Sequence, residues 1–182
     1  MRIKNYVEEL EVPEGITIKL DGDILIVNGP KGELKRRFFD PRIKIAVKDN
    51  VVVFSADVYT KKEKMQLGSF VAHIKNMFYG VKEAYTYKLK ICSGHFPMNV
   101  SVKGNEFTIK NYIGEKVPRV FKFSPAVKVT IEGEIVTIVS CDIELAGQTA
   151  CLIEQKSLRP GFDKRVFQQG IFITEKPKKV RL

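Results

Sequence analysis

Apolar and polar residues alternate from Ile16 through Ile18 to Leu20, break at Asp21-Gly22-Asp23, and resume over Ile24 to Val27. A period of two puts alternate side chains on one face of a strand, and a short Asp/Gly turn between two such runs predicts a hairpin. A second turn, Asn28-Gly29-Pro30-Lys31-Gly32, leads into a basic strand from Leu34 to Phe39. Beyond Asp40-Pro41, the positions Ile43, Ile45 and Val47 predict a fourth strand, and Val51 to Phe54, after Asp49-Asn50, a fifth. From Thr60 to Tyr79 the spacing changes. Leu67, Val71, Ile74 and Phe78 recur at intervals of four, three and four, so they share one face of a helix, and Gly80 is its expected C-terminal stop.

The order then repeats. His95-Phe96-Pro97 echoes Val12-Pro13, Val100 and Val102 match Ile16 and Ile18, and Gly104-Asn105 supplies the turn before Phe107 and Ile109. Asn111 falls where Asn28 did, Gly114-Glu115 matches Gly32-Glu33, and Ser124-Pro125 matches Asp40-Pro41, all at an offset of 82 to 84 residues. A second helix follows over about Asp142 to Lys156, with Ile143, Ala146, Ala150 and Ile153 on one face and Asp142 or Ser140 as N-cap. Each unit is thus an antiparallel sheet covered by one helix, an α+β arrangement in tandem duplication. Residues 1–82 form the first unit and 83–182 the second, which carries a basic C-terminal extension. Tyr85 to Ile91 reads as a strand that opens the second unit or links the two sheets.

Charge is uneven along this pattern. Of the net +10, residues 156–182 supply eight bases against two acids, whereas residues 1–30 hold three bases and six acids. Clustered cations favour a polyphosphate because each phosphate contact releases condensed counterions. A solvated basic tail is the plainer reading of Lys176 to Arg181. No apolar run is long enough to cross a membrane, and the charged start, Met1 to Leu10, is unlike a signal peptide.

The chemistry of catalysis is poorly represented. Three cysteines, Cys92, Cys141 and Cys151, and two histidines, His73 and His95, lack metal-ligand or disulfide spacing, so no metal and no cofactor is expected. There is no phosphate-binding loop, no G-x-S-x-G and no H-E-x-x-H, and the pair Asp142 and Glu144 is accounted for by helix capping. An enzyme is not expected.

Several motifs together carry a resemblance. Gly29-Pro30-Lys31-Gly32-Glu33-Leu34, His95-Phe96-Pro97-Met98-Asn99, Gly114-Glu115-Lys116, Asp142 to Ala150 with Ile153-Glu154-Gln155, and Arg165-Val166-Phe167-Gln168 with Gly170-Ile171 stand in order over nearly the whole chain. The chain resembles the large-subunit ribosomal protein L-six family in its archaeal and eukaryotic form. The resemblance implies a duplicated α+β fold that binds large-subunit ribosomal RNA mainly through its second domain, near the sarcin-ricin loop and the stalk base where elongation factors dock. It implies neighbouring ribosomal proteins as partners and a place on the cytoplasmic ribosome in support of translation. The chain departs from the family at Gln169, usually Asp, at Phe172, usually Tyr, and at Pro160-Gly161-Phe162, which interrupts the basic loop.

The candidate RNA contacts are Lys116, Arg119 and Lys122 after the Gly114 turn, and Lys156, Arg159, Lys164, Arg165, Lys176, Lys178 and Lys179 in and after the second helix. Arg can fork two donors onto one phosphate, while Lys acts as a point charge. A second cluster, Lys31, Lys35, Arg36 and Arg37, is either another RNA or protein contact or the charged edge that keeps strands from aggregating. With no Trp and no strand of RNA-stacking aromatics, recognition by shape and backbone is expected. The alternative is a non-ribosomal RNA-binding module or protein adaptor. Outside any assembly the chain is expected to be monomeric, since no exposed apolar face is demanded by the pattern.

Overall fold

The computed structural model describes residues 3–48, 50–94, 96–163 and 165–177. The chain divides into two compact units, with the break between Ala84 and Tyr85. In the first, six strands precede a helix: β1 (Ile3–Glu11), β2 (Thr17–Asp21), β3 (Ile24–Gly29), β4 (Gly32–Arg37), β5 (Ile43–Lys48), β6 (Val51–Tyr59) and α1 (Lys61–Glu83). They make two antiparallel three-stranded sheets, ordered β1-β6-β5 and β2-β3-β4. The turns behave as the sequence suggests: Asp21 pairs with Ile24 around Gly22, whose φ is +59°, and Gly29 pairs with Gly32.

β1 has no counterpart among the strands read from periodicity. Tyr6, Glu8 and Leu10 share its partly buried side, so a carboxylate stands where the apolar alternation needs a hydrophobe. Its hold comes from pairing along β6 and from Tyr6, whose ring stacks on Tyr59 with centroids 3.9 Å apart.

Thr60 caps α1 through a reciprocal capping box with Glu63, and Arg42 donates to the same carboxylate at 2.6 Å. The helix then passes the expected stop at Gly80 and ends at Ala84, which takes a φ of +62°. Val81 explains the overrun: fully buried, it extends the apolar face of Leu67, Ile74 and Phe78 by a turn and packs against the backbone of Gly29. The Lys31 amide donates to the Val81 carbonyl at 3.0 Å, joining the β3–β4 turn to the helix end.

The second unit repeats the order with β7 (Tyr85–Cys92), β8 (Asn99–Lys103), β9 (Glu106–Lys110), β10 (Arg119–Lys122), β11 (Lys128–Glu132), β12 (Ile135–Ser140) and α2 (Ile143–Lys156). β7 pairs with β12 as β1 pairs with β6, so Tyr85 onward does open the second unit. Among the described residues, one strand has no equivalent in the first unit. β13 (Gly170–Glu175) returns after α2 and pairs antiparallel with the other edge of β7, giving the order β11-β12-β7-β13 beside the sheet β10-β9-β8. The core lies between sheets and helix and includes Leu89, Phe107, Ile109, Ile138, Ile153 and Ile171.

Candidate nucleic-acid interface

Two connections of the second unit hold the expected cations Lys116, Arg159 and Arg165, with Arg119 and Lys156 at their ends. One, residues 158–169, joins α2 to β13. The other, residues 111–118, joins β9 to β10 through a short 3-10 turn at Tyr112–Gly114.

The first is fastened at both ends. Ser157, wholly buried at the C-cap of α2, accepts from the Ile171 amide at 2.9 Å and donates its hydroxyl to the Glu154 carbonyl at 2.8 Å. At the far end, the buried Gln169 donates its side-chain amide to the Phe96 carbonyl at 3.0 Å, while its own carbonyl accepts from the Tyr112 hydroxyl at 3.3 Å. An ionised aspartate in place of Gln169 would have no N–H to give Phe96.

The second connection is strained. Asn111, Ile113 and Gly114 take φ values of +58°, +48° and +74°. For a β-branched residue such as Ile113 this is a rare conformation, which persists only where the surroundings over-determine it. Here Tyr112 is buried and the Glu115 amide donates to its carbonyl at 2.9 Å.

Arg119 binds the two connections together. Its Nε and Nη2 donate to the two oxygens of Glu115 at 2.8 and 2.6 Å, and its Nη1 donates to the carbonyls of Lys156 and Leu158 at 2.7 and 2.9 Å. The guanidinium also lies 4.1 Å from the centre of the Tyr112 ring. Four of its five N–H groups are thereby used, two of them on carbonyls at the end of α2, where the helix dipole favours a cation. The hydrogen bonds from Arg119 hold the Glu115 carboxyl below its usual range, against a smaller opposing effect of burial. Arg119, expected from its type to meet phosphate, thus serves as a clamp.

The other cations are placed differently. Arg159 sits over the Phe162 ring at 4.5 Å, with the Glu115 carboxylate 3.9 Å away. Arg165 is 90% exposed and forks onto Asp163 at 3.0 and 3.3 Å; hydrogen bonds from its side chain and then its amide lower the Asp163 pKa. Lys116, Lys156 and Lys176 are exposed. Lys122 is exposed, pairs with Glu106 across the strands at 3.3 Å, and flanks a cleft of about 220 Å³ shared with Gln148 of α2. Lys164, Lys178 and Lys179, along with His95, lie outside the described residues.

In the first unit the second cluster is largely engaged with its own surroundings. Lys35 pairs with Glu33 at 2.8 Å, Arg37 with Asp23 at 3.5 Å, and Arg36 lies 3.3 Å from the His73 ring on α1. Lys31 is exposed.

Sequence reasoning overlooked the aromatic part of this surface. Phe162 and Phe167 meet edge to face at 4.8 Å within the basic connection, and Phe167 stays 46% exposed beside Val166 at 72%. Phe-rich segments read as core in one dimension; only the loop's closure shows these rings at the surface. Among the described residues no group of three or more His, Cys, Asp or Glu side chains could hold a metal, and no helix is long and apolar enough to cross a membrane.

Fold and site together define a duplicated α+β protein in which the second unit holds a cationic loop on a fixed base. The chain belongs to the ribosomal protein L6 family: the family's sequence model matches residues 12–84 and 96–170, one stretch in each unit. It is 43% identical to the large ribosomal subunit protein uL6 of Sulfurisphaera tokodaii over 97% of this chain and 95% of that one. The proteins of the same name from Methanosarcina mazei and Halobacterium salinarum are each 40% identical, covering 96% and 94% of this chain and 99% and 96% of their own lengths. The chain is accordingly a structural protein of the large ribosomal subunit, in the cytoplasm, and not an enzyme.

Proposed function

We propose that the chain binds large-subunit ribosomal RNA through its second unit, with residues 158–169 and 111–118 as the contact face. The observation that supports this most is the fastening of the basic connection. Ser157, Gln169 and Arg119 fix its backbone, while Arg165 within it, Lys156 just before it and Lys116 on the other connection are exposed. A loop ordered before binding loses less entropy on contact. The first-unit cluster, already paired with Glu33, Asp23 and His73, is secondary. The two units act as separate domains, and the chain is monomeric outside the ribosome.

The test is binding of the full chain to deproteinised large-subunit RNA across a salt series. Arg165→Ala is expected to weaken binding about equally for all sequences and to reduce the salt slope by about one. An unchanged slope removes Arg165 from the contacts.

The finer placement, near the sarcin-ricin loop and the stalk base where elongation factors dock, with other ribosomal proteins alongside, belongs to the same proposal. It rests on the family resemblance. A cleavage probe on the exposed Cys151 of α2, with Cys92 and Cys141 replaced by serine, is expected to cut RNA close to that loop in reconstituted subunits. Cuts confined elsewhere would refute the placement.

A further inference from the structure

We infer that Phe167 is a stacking platform for one unpaired RNA base, set beside the phosphate contact of Arg165. The inference rests on the RNA-binding reading and goes past it, because recognition by shape and charge alone needs no ring.

The ring is exposed and yet already oriented. Phe162 packs edge to face against it at 4.8 Å and an interplanar angle of 73°, and Arg159 in turn covers Phe162 at 4.5 Å. The backbone beneath is fixed as well. The amides of Val166 and Phe167 both donate to the Asp163 carbonyl, at 3.1 and 2.9 Å, and the Asp163 carboxylate accepts from the Arg165 amide at 2.9 Å. Gln168 reaches back to the Arg165 carbonyl at 3.4 Å. These contacts reduce the rotamer and backbone freedom that stacking would otherwise have to remove.

Folding offers no reason for the ring's exposure. A lone surface hydrophobe is ordinary, but Val166 and Phe167 are adjacent, with Phe162 against the Phe167 ring, in a segment whose ends are stapled to the unit's core. Charge selects the occupant. Between Lys156 and Gln169 the sequence holds Lys156, Arg159, Lys164 and Arg165 against one acid, Asp163. A ring flanked by cations suits a base whose phosphates need neutralising. Unstacked bases are what proteins take up on aromatic faces in folded RNA, and every base has such a face.

The experiment uses the full chain and deproteinised large-subunit RNA, titrated across a salt series, with thermal unfolding of each variant as control. Phe167→Ala is expected to bind roughly tenfold to a hundredfold more weakly with the parent's salt slope, because stacking releases no counterions. Phe167→Tyr keeps the π face and is expected to bind as the parent does. Phe167→Leu keeps the apolar bulk without that face and is expected to lose most of the affinity while unfolding like the parent, which separates stacking from packing if the alanine variant fails to fold. Parent-like binding by Phe167→Leu and Phe167→Ala would overturn the inference, and so would parent-like RNA binding by Phe167→Ala combined with failure to enter subunits, which would give the ring to a protein neighbour. Should Arg165→Ala still lower the slope in that case, the RNA reading stands and only the stacking contact falls.

Discussion

Arg119→Ala takes away four hydrogen bonds at once and strands their acceptors: the Glu115 carboxylate and the carbonyls of Lys156 and Leu158. Arginine and glutamate side chains are 23% and 27% exposed, so the pair is neither a surface ion pair of negligible worth nor one sealed from water. Hydrogen bonds to charged groups are worth about 1.5–3 kcal/mol each, but these four share one guanidinium, so their losses do not add. Water can also reach Glu115 once the partner is gone. A destabilisation of about 2–4 kcal/mol follows. For a unit of this size that is a fall of roughly 10–25 °C in the midpoint of its thermal transition. Arg119→Lys is expected to recover less than half, since an ammonium has no planar fork to span a carboxylate and two carbonyls. Circular dichroism melts supply one readout, RNA titration at several salt concentrations the other. The clamp predicts weaker binding with an unchanged salt slope, because Arg119 acts on the loop and not on phosphate. A slope reduced by about one with a parent-like melt would refute that reasoning and return Arg119 to the direct contacts.

Two further perturbations test the first unit. Hydrogen bonds from Thr60 and then Arg42 bring the Glu63 carboxyl from 4.5 down to about 2. A lowered folded pKa contributes stability that is complete above about 4.5 and lost as pH falls towards 2, so Glu63→Gln should be less stable than the parent at neutral pH and converge with it across that window. Melts that stay equally far apart at pH 2 and pH 7 would contradict the capping account. Gly29→Ala would put a Cβ 2.7 Å from Val81 Cγ2 and 2.9 Å from the Val81 carbonyl oxygen, and is expected to cost about 1–3 kcal/mol by denaturant unfolding. An unchanged midpoint would mean that α1 and the β3–β4 turn separate freely.

The parts of the fold that could be read in advance are those with local signals. Period-two runs flanked by Asp-Gly or Gly-Asn turns marked β2, β3, β8 and β9, and their recurrence at a constant offset revealed the duplication. β1 escaped because Glu8 occupies the side that pairs with the core, and the end of α1 was misplaced because Gly80 looked like a stop while Val81 still had a face to bury. The candidate site divides in the same way. Arg165 is an exposed cation in a basic loop, as its sequence context suggests. Arg119 looks identical in one dimension, but its partners include carbonyls 37 and 39 residues further on, which no local pattern encodes. The exposure of Phe167 is a property of loop closure, invisible until Ser157 and Ile171 are seen to meet.

That meeting has a consequence for the order in which the chain can mature during its own synthesis. The first unit has all its strands and its helix once Ala84 has left the exit tunnel, and domains generally fold as they emerge. In the second unit, β7 comes out first yet lies between β12 and β13, so one of its edges stays unpaired until residues 170–175 arrive. Ser157 likewise has no Ile171 to hold until then, so of the loop's fastenings only those at its start, from Arg119, can form earlier. The basic connection is itself among the last residues made, so its cations emerge only shortly before the strand that closes it. On the RNA-binding reading proposed above, the shape that would meet RNA forms only when the second unit is almost complete.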